Sequence, residues 1–119
     1  MGNASRLPLG QLFVVGFEGS SVPERWRALL VDEGLGGVIL FKRNIEGIEQ
    51  VVTLNAELFE LGKQAGAPFI VSVDQEGGRV ARLRGICTDV PSMRAVGVAA
   101  DSDSDVPYRL GAMMAREAR

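Results

Sequence analysis

Phe69-Ile70-Val71-Ser72-Val73-Asp74-Gln75-Glu76-Gly77-Gly78-Arg79 is the stretch on which the reading of this chain turns. Its first half is a short run of β-forming residues that follows Pro68. That length and composition predict a buried strand. Its second half changes character at once, to a carboxylate, two polar residues, two glycines and an arginine. The strand therefore ends in Asp74. A carboxylate at the end of a buried strand is rigidly held and partly desolvated, and paired glycines let the backbone turn close to a ligand. Arg79, Arg82 and Arg84 follow, with guanidinium forks suited to hydroxyls or carboxylates. A plainer reading stands beside this one. Asp74 then caps a turn or pairs with an arginine, and the three arginines are solvated surface charge.

Upstream the same strand pattern occurs twice more. Leu12-Phe13-Val14-Val15-Gly16-Phe17 and Val38-Ile39-Leu40-Phe41 are nearly continuous apolar runs. Between them, residues 22–33 read as a helix with Trp26, Leu29 and Leu30 at helical spacing. Ser21 and Glu24 have the spacing of a capping box, Pro23 falls in the first turn, and Gly34 is a stop. Val51, Leu54, Leu58, Leu61 and Ala65 fall on one face of a second helix, halted near Gly66 and Pro68. The order is βαβαβ. Continuous apolar strands imply two buried sheet faces, hence a parallel sheet covered by helices. In such folds ligands bind at the carboxyl ends of the strands. Glu18-Gly19-Ser20-Ser21, Lys42-Arg43-Asn44 and the segment from Asp74 to Arg79 all leave from that end.

Downstream of Asp74 about thirty residues pass before the next clear helix, which begins near Val106. A short helical turn around Ser92 to Val96 is allowed by the pattern. Asp105 is placed to cap the later helix, whose apolar side carries Leu110, Met113 and Met114. Met93, Met113 and Met114 read as core filling. The last helix reaches Arg119 without a Gly or Pro stop, and a three-stranded parallel sheet leaves two edges and much apolar face open. Both features lead us to expect a piece of a longer protein, able to self-associate through exposed sheet edges.

Composition excludes several functions. The 119 residues include 13 basic and 15 acidic side chains, net −2, so there is no overall basic footprint for nucleic acid. Histidine is absent, which removes Ser-His-Asp and Cys-His pairs and HExxH zinc sites from this chain. The single Cys87 allows no internal disulfide or thiolate metal cluster. No apolar run approaches the ~20 residues of a membrane span, and no secretory leader is recognised, so a cytoplasmic protein is expected. A complete (β/α)₈ barrel, at about 250 residues, does not fit.

Gly36-Gly37-Val38-Ile39-Leu40-Phe41-Lys42-Arg43-Asn44, followed one helix later by Val71-Ser72-Val73-Asp74-Gln75-Glu76-Gly77-Gly78-Arg79-Val80-Ala81-Arg82-Leu83, resembles glycoside hydrolase family 3. The similarity is greatest to its bacterial β-N-acetylhexosaminidase branch, for which the Asp-Gln-Glu-Gly-Gly-Arg-Val block is quite specific. The resemblance implies a parallel βαβαβα segment, the first three or so units of a (β/α)₈ TIM-type barrel. Residues 1–119 would form the N-terminal fragment of the catalytic barrel. It implies that Asp74 hydrogen-bonds hydroxyls of the bound sugar and that Arg82 helps to hold it. Arg79 would support the loop, and Glu76 would make structural hydrogen bonds. The family's nucleophile and histidine acid/base belong to later segments, so no catalytic residue is carried over. The implied activity of the parent is retaining hydrolysis of β-linked N-acetylglucosaminides such as muropeptides, with a small carbohydrate as partner and with no metal or organic cofactor. The isolated chain is expected to be inactive.

Two other readings compete. One is a non-catalytic glycan-binding or assembly module. The other is a phosphate or nucleotide binder resting on βαβαβ order. Gly16-Phe17-Glu18-Gly19 lies where a phosphate loop would, but it lacks the P-loop Lys-Ser/Thr and the dinucleotide fingerprint.

Overall fold

A computed structural model of the chain describes residues 9–119. Contacts divide it into two compact units, the first ending at Val73 and the second running from Asp74 to Arg119.

In the first unit, Val14–Val15 (β1), Gly37–Leu40 (β2) and Ile70–Val73 (β3) form a parallel sheet in the order β1-β2-β3. Val15 pairs with Val38, and Val38 with Val71. The helices Glu24–Asp32 (α1) and Ile48–Ala65 (α2) connect the strands. The core is the helical stripe Leu30, Leu54, Leu58 and Leu61 packed with Phe17, Val38 and Leu40. Val38 and Leu58 are wholly buried. The expected apolar face of α2 is thus the one that packs. Gly66 ends that helix in the left-handed conformation, φ 67°. Arg27 of α1 forms an ion pair with Glu57 of α2.

Three local expectations are corrected. The first strand is only two residues long, because Leu9–Leu12 forms a 3₁₀ turn. The Phe13 N–H donates to the Gly10 carbonyl at 3.0 Å within that turn. The Ser21/Glu24 capping box does not form. The N-cap is Pro23, with no side-chain cap, and its carbonyl accepts from Trp26 N at 2.8 Å. Only the central strand has the expected double burial. Val14 and Ile70, on the outer strands, are 45% and 55% exposed because no further strand or layer covers them among the described residues.

The second unit replaces the expected long irregular connection. Gln75–Gly77 (β4) and Val80–Ala81 (β5) form an antiparallel hairpin, and Met93–Ala100 (α3) precedes Val106–Glu117 (α4). Ser92 caps α3 by accepting from Ala95 N at 3.4 Å. The Asp105 side chain makes no cap bond on α4; instead Asp105 N donates to Asp103 Oδ1 at 3.0 Å. Asp103 Oδ2 takes the Arg109 guanidinium at 2.6 Å. Met93 is 48% exposed, so it fills no core, while Met113 and Met114 are half-buried.

Candidate functional site

Asp74 directly follows Val73, the last residue of β3, and so stands at that strand's carboxyl end. Strands β1 and β2 run parallel to β3, so the segments after Val15 and Leu40 leave from the same end of the sheet. This is the ligand-binding end of parallel α/β sheets.

The hairpin brings Arg82 back to Asp74. Gln75 pairs with Ala81, and Arg82 N donates to the Asp74 carbonyl at 3.4 Å. Gln75 Oε1 accepts from Leu83 N at 3.1 Å, which fixes the return strand. Asp74 and Arg82 are both half-buried, and Arg82 Nε is shielded from solvent. A carboxylate acceptor and a guanidinium donor fork thus rise from neighbouring positions on one hairpin. That combination suits a polyhydroxylated ligand, since a carboxylate accepts from hydroxyls and a guanidinium donates to them.

The glycine pair serves the fold of the hairpin. Gly77 has φ +82° and Gly78 φ +58°. A Cβ on Gly77 would collide with the Pro91 carbonyl oxygen. Gly78 N donates to the Val90 carbonyl at 3.0 Å. The close approach expected toward a ligand is therefore an approach to this chain's own backbone. Arg79 and Glu76 are exposed. It is Arg84 that supports the turn, donating to the Gly78 carbonyl and pairing with Asp89 at 3.5 Å.

Lys42-Arg43-Asn44 read in sequence as a charged strand end. In the structure it forms a 3₁₀ turn that holds a fully buried amide. Asn44 Nδ2 donates to the Phe17 carbonyl at 3.0 Å and to the Gly19 carbonyl at 2.7 Å. Asn44 Oδ1 accepts from Phe41 N at 2.8 Å. Gln50 Nε2 donates to the Ser20 and Asn44 carbonyls at 2.7 and 3.0 Å, and its Oε1 accepts from Glu46 N at 3.0 Å. Arg43 lies over the Phe41 ring, 4.5 Å from its centroid. Its Nε is 3.0 Å from both the Phe17 carbonyl and Glu18 Oε1. Sequence reasoning placed the Lys42-Arg43-Asn44 segment at the ligand-binding end but gave Asn44 no role of its own, and it missed Gln50. The signal available was an amide directly after a buried strand, with its partners some 25 residues upstream. A recess of about 270 Å³ adjoins the same loop, with Ser20, Ser21, Glu49 and Gln50 among its lining residues and neither Asp74 nor Arg82.

The described residues hold no cluster of His, Cys, Asp and Glu able to bind a metal ion. Burial, and then the nearby Glu117 carboxylate, push the Cys87 thiol up from its ordinary pKa. No helix among the described residues is long and apolar enough to cross a membrane.

Known proteins are similar to this chain in sequence and in fold. A β-hexosaminidase of Chromobacterium violaceum is 40% identical over 104 residues, covering 87% of this chain and 28% of that protein. A glycoside hydrolase family 3 β-N-acetylglucosaminidase from Paenibacillus superposes with a TM-score of 0.83 at 35% identity, over 92% of this chain and 21% of that one. NagZ from Neisseria gonorrhoeae, in complex with N-trifluoroacetyl-D-glucosamine, superposes with a TM-score of 0.67 at 37% identity, over 76% of this chain and 25% of that one. The chain therefore spans less than a third of the length of these relatives. The sequence model of the glycosyl hydrolase family 3 N-terminal domain matches residues 6–119, and the chain belongs to that family.

Proposed function

We propose that this chain is the first part of a retaining glycoside hydrolase that cleaves β-linked N-acetylglucosaminides, and that Asp74 and Arg82 bind the sugar. One observation carries the reading. The strand-end carboxylate and the arginine are joined by a short hairpin whose backbone bond returns Arg82 to Asp74. The ligand of the related NagZ, an N-acylated glucosamine, supports the substrate class. Muropeptides released from peptidoglycan, in the cytoplasm, are the natural source of such sugars in this reading. The consecutive parallel order β1-β2-β3 supports the first strands of a (β/α)₈ barrel, in which neighbours in sequence are neighbours in space. The isolated chain, whose outer strands β1 and β3 have no further strand beside them among the described residues, would self-associate through them.

The mechanism assigned to these residues is binding and orientation. Retaining hydrolysis forms and then hydrolyses a glycosyl-enzyme through an oxocarbenium-like transition state. Asp74 accepts hydrogen bonds from ring hydroxyls, and bonds that tighten as charge develops on the ring lower the barrier. Arg82 donates to the same sugar from the adjoining position. The nucleophile and the proton donor come from outside residues 1–119. This chemistry draws on no metal or organic cofactor.

The test uses the native polypeptide that carries these residues, with its intact mass measured in the host and its activity followed on a chromogenic N-acetyl-β-glucosaminide. Asp74→Ala is expected to lower kcat/KM by about 100-fold or more, which corresponds to roughly 2.7 kcal/mol of transition-state stabilisation. Wild-type rates in Asp74→Ala would defeat the reading. A native mass of 12.7 kDa with sugar binding and no turnover would favour a glycan-binding module instead.

A further inference from the structure

We propose that Asn44 is a positioning residue for the sugar-binding end of this protein, acting with Gln50 to clasp the loop after β1 to the turn after β2. The role in substrate handling rests on the glycosidase reading above.

Asn44 is completely buried. Burying an amide is costly unless its groups are bonded, and an apolar side chain would fill the space without that demand. Here both Nδ2 protons and Oδ1 are used, and every partner is backbone of one of the two connections. The Phe17 and Gly19 carbonyls lie 27 and 25 residues away along the chain, so the bonds join segments that sequence keeps apart. Gln50 adds the Ser20 carbonyl and ties itself back to the Asn44 carbonyl and Glu46 N–H. Three carbonyls of the loop, at Phe17, Gly19 and Ser20, are thereby held by two side chains. Arg43 Nε supplies a second donor to Phe17 and pairs with the exposed Glu18 of that loop.

A fully satisfied polar network of this kind rigidifies what it joins. The two connections leave the carboxyl ends of β1 and β2, and Asp74 stands at the carboxyl end of β3. The clasp fixes the spacing of the first two of these three neighbouring strand ends. Displacing a group by about 1 Å can cost about 100-fold in rate, so supporting amides matter to a site that they do not touch.

The experiment compares wild type, Asn44→Ala and Gln50→Ala in the native polypeptide. It reads deuterium uptake in segments 17–21 and 54–61, and kcat and KM on a chromogenic N-acetyl-β-glucosaminide. The expected result is uptake in 17–21 faster by about tenfold or more, with 54–61 unchanged. A fall in kcat/KM of about 10- to 100-fold, carried mainly by kcat, should accompany it. If Asn44→Ala does not fold, Gln50→Ala, whose side chain is only half-buried, carries the same comparison. Unchanged uptake in 17–21 overturns the clasp. A loosened loop with wild-type kcat and KM per folded molecule, in an enzyme that still needs Asp74, overturns the positioning role and leaves the glycosidase reading standing. Wild-type protein that takes no such sugar overturns both.

Discussion

A methyl group on Gly77 would collide with the Pro91 carbonyl oxygen, and its φ of +82° is strained for any side chain. Gly77→Ala should therefore destabilise the second unit by at least about 2 kcal/mol, combining left-handed strain with overpacking. Urea unfolding followed by circular dichroism measures it, and a midpoint equal to wild type would contradict the hairpin geometry. At the same scale, Asn44 and Lys42 differ by two positions and entirely in situation. Lys42 is exposed, whereas Asn44 is enclosed and triply bonded. Side-chain chemistry alone does not separate them. The separation comes from where the 3₁₀ turn points each residue.

Helices α3 and α4 show how an element depends on its ends and on its weakest residue. Ser92 gives α3 a side-chain cap, while Gly97 in its interior and Gly111 in α4 lower helix propensity. An ideal Cβ at either glycine meets nothing within 4 Å. Gly97→Ala and Gly111→Ala should each stabilise by about 0.5–1 kcal/mol, read as a higher urea midpoint. A decrease would show that the space or the helix is absent. At the start of α4 the Arg109 side-chain bond, and after it the Asp105 N–H, hold the Asp103 carboxyl below its ordinary value of 3.8. The folded pKa is thus lower than the unfolded one. Its stabilisation is full above about pH 4 and is lost as pH falls through the folded value. Asp103→Asn should flatten the acid limb of the stability–pH curve. The effect is modest because the pair is exposed. Curves that stay parallel below pH 4 would refute it.

For the molecule as a whole, the three-stranded sheet leaves β1 and β3 as outer strands, with Val14 and Ile70 about half exposed. Unpaired edges and uncovered apolar faces promote association. The isolated 119-residue chain should show an apparent mass in sedimentation that rises with concentration. A single 12.7 kDa species at every concentration would count against this. The division at Val73/Asp74 falls at the point where the sequence changes from apolar strand to polar hairpin.

The sequence by itself determined the βαβαβ order, the buried stripe of α2, the strand ending at Asp74 and the family. These rest on local periodicity and on short motifs, which act over a few residues. Tertiary structure alone decided the rest. Gly77 and Gly78 look equally suited to receiving a ligand or to meeting their own backbone, and only the approach of Pro91 shows that Gly77 does the second. The helical turn that the pattern allowed around Ser92 to Val96 is the start of α3, and only its extension through Gly97 to Ala100 was not legible. The Asn44–Gln50 clasp joins residues some 25 to 30 positions apart, and hydrogen bonds over such separations leave no period in the sequence. They appear only when parallel pairing sets two strand ends side by side.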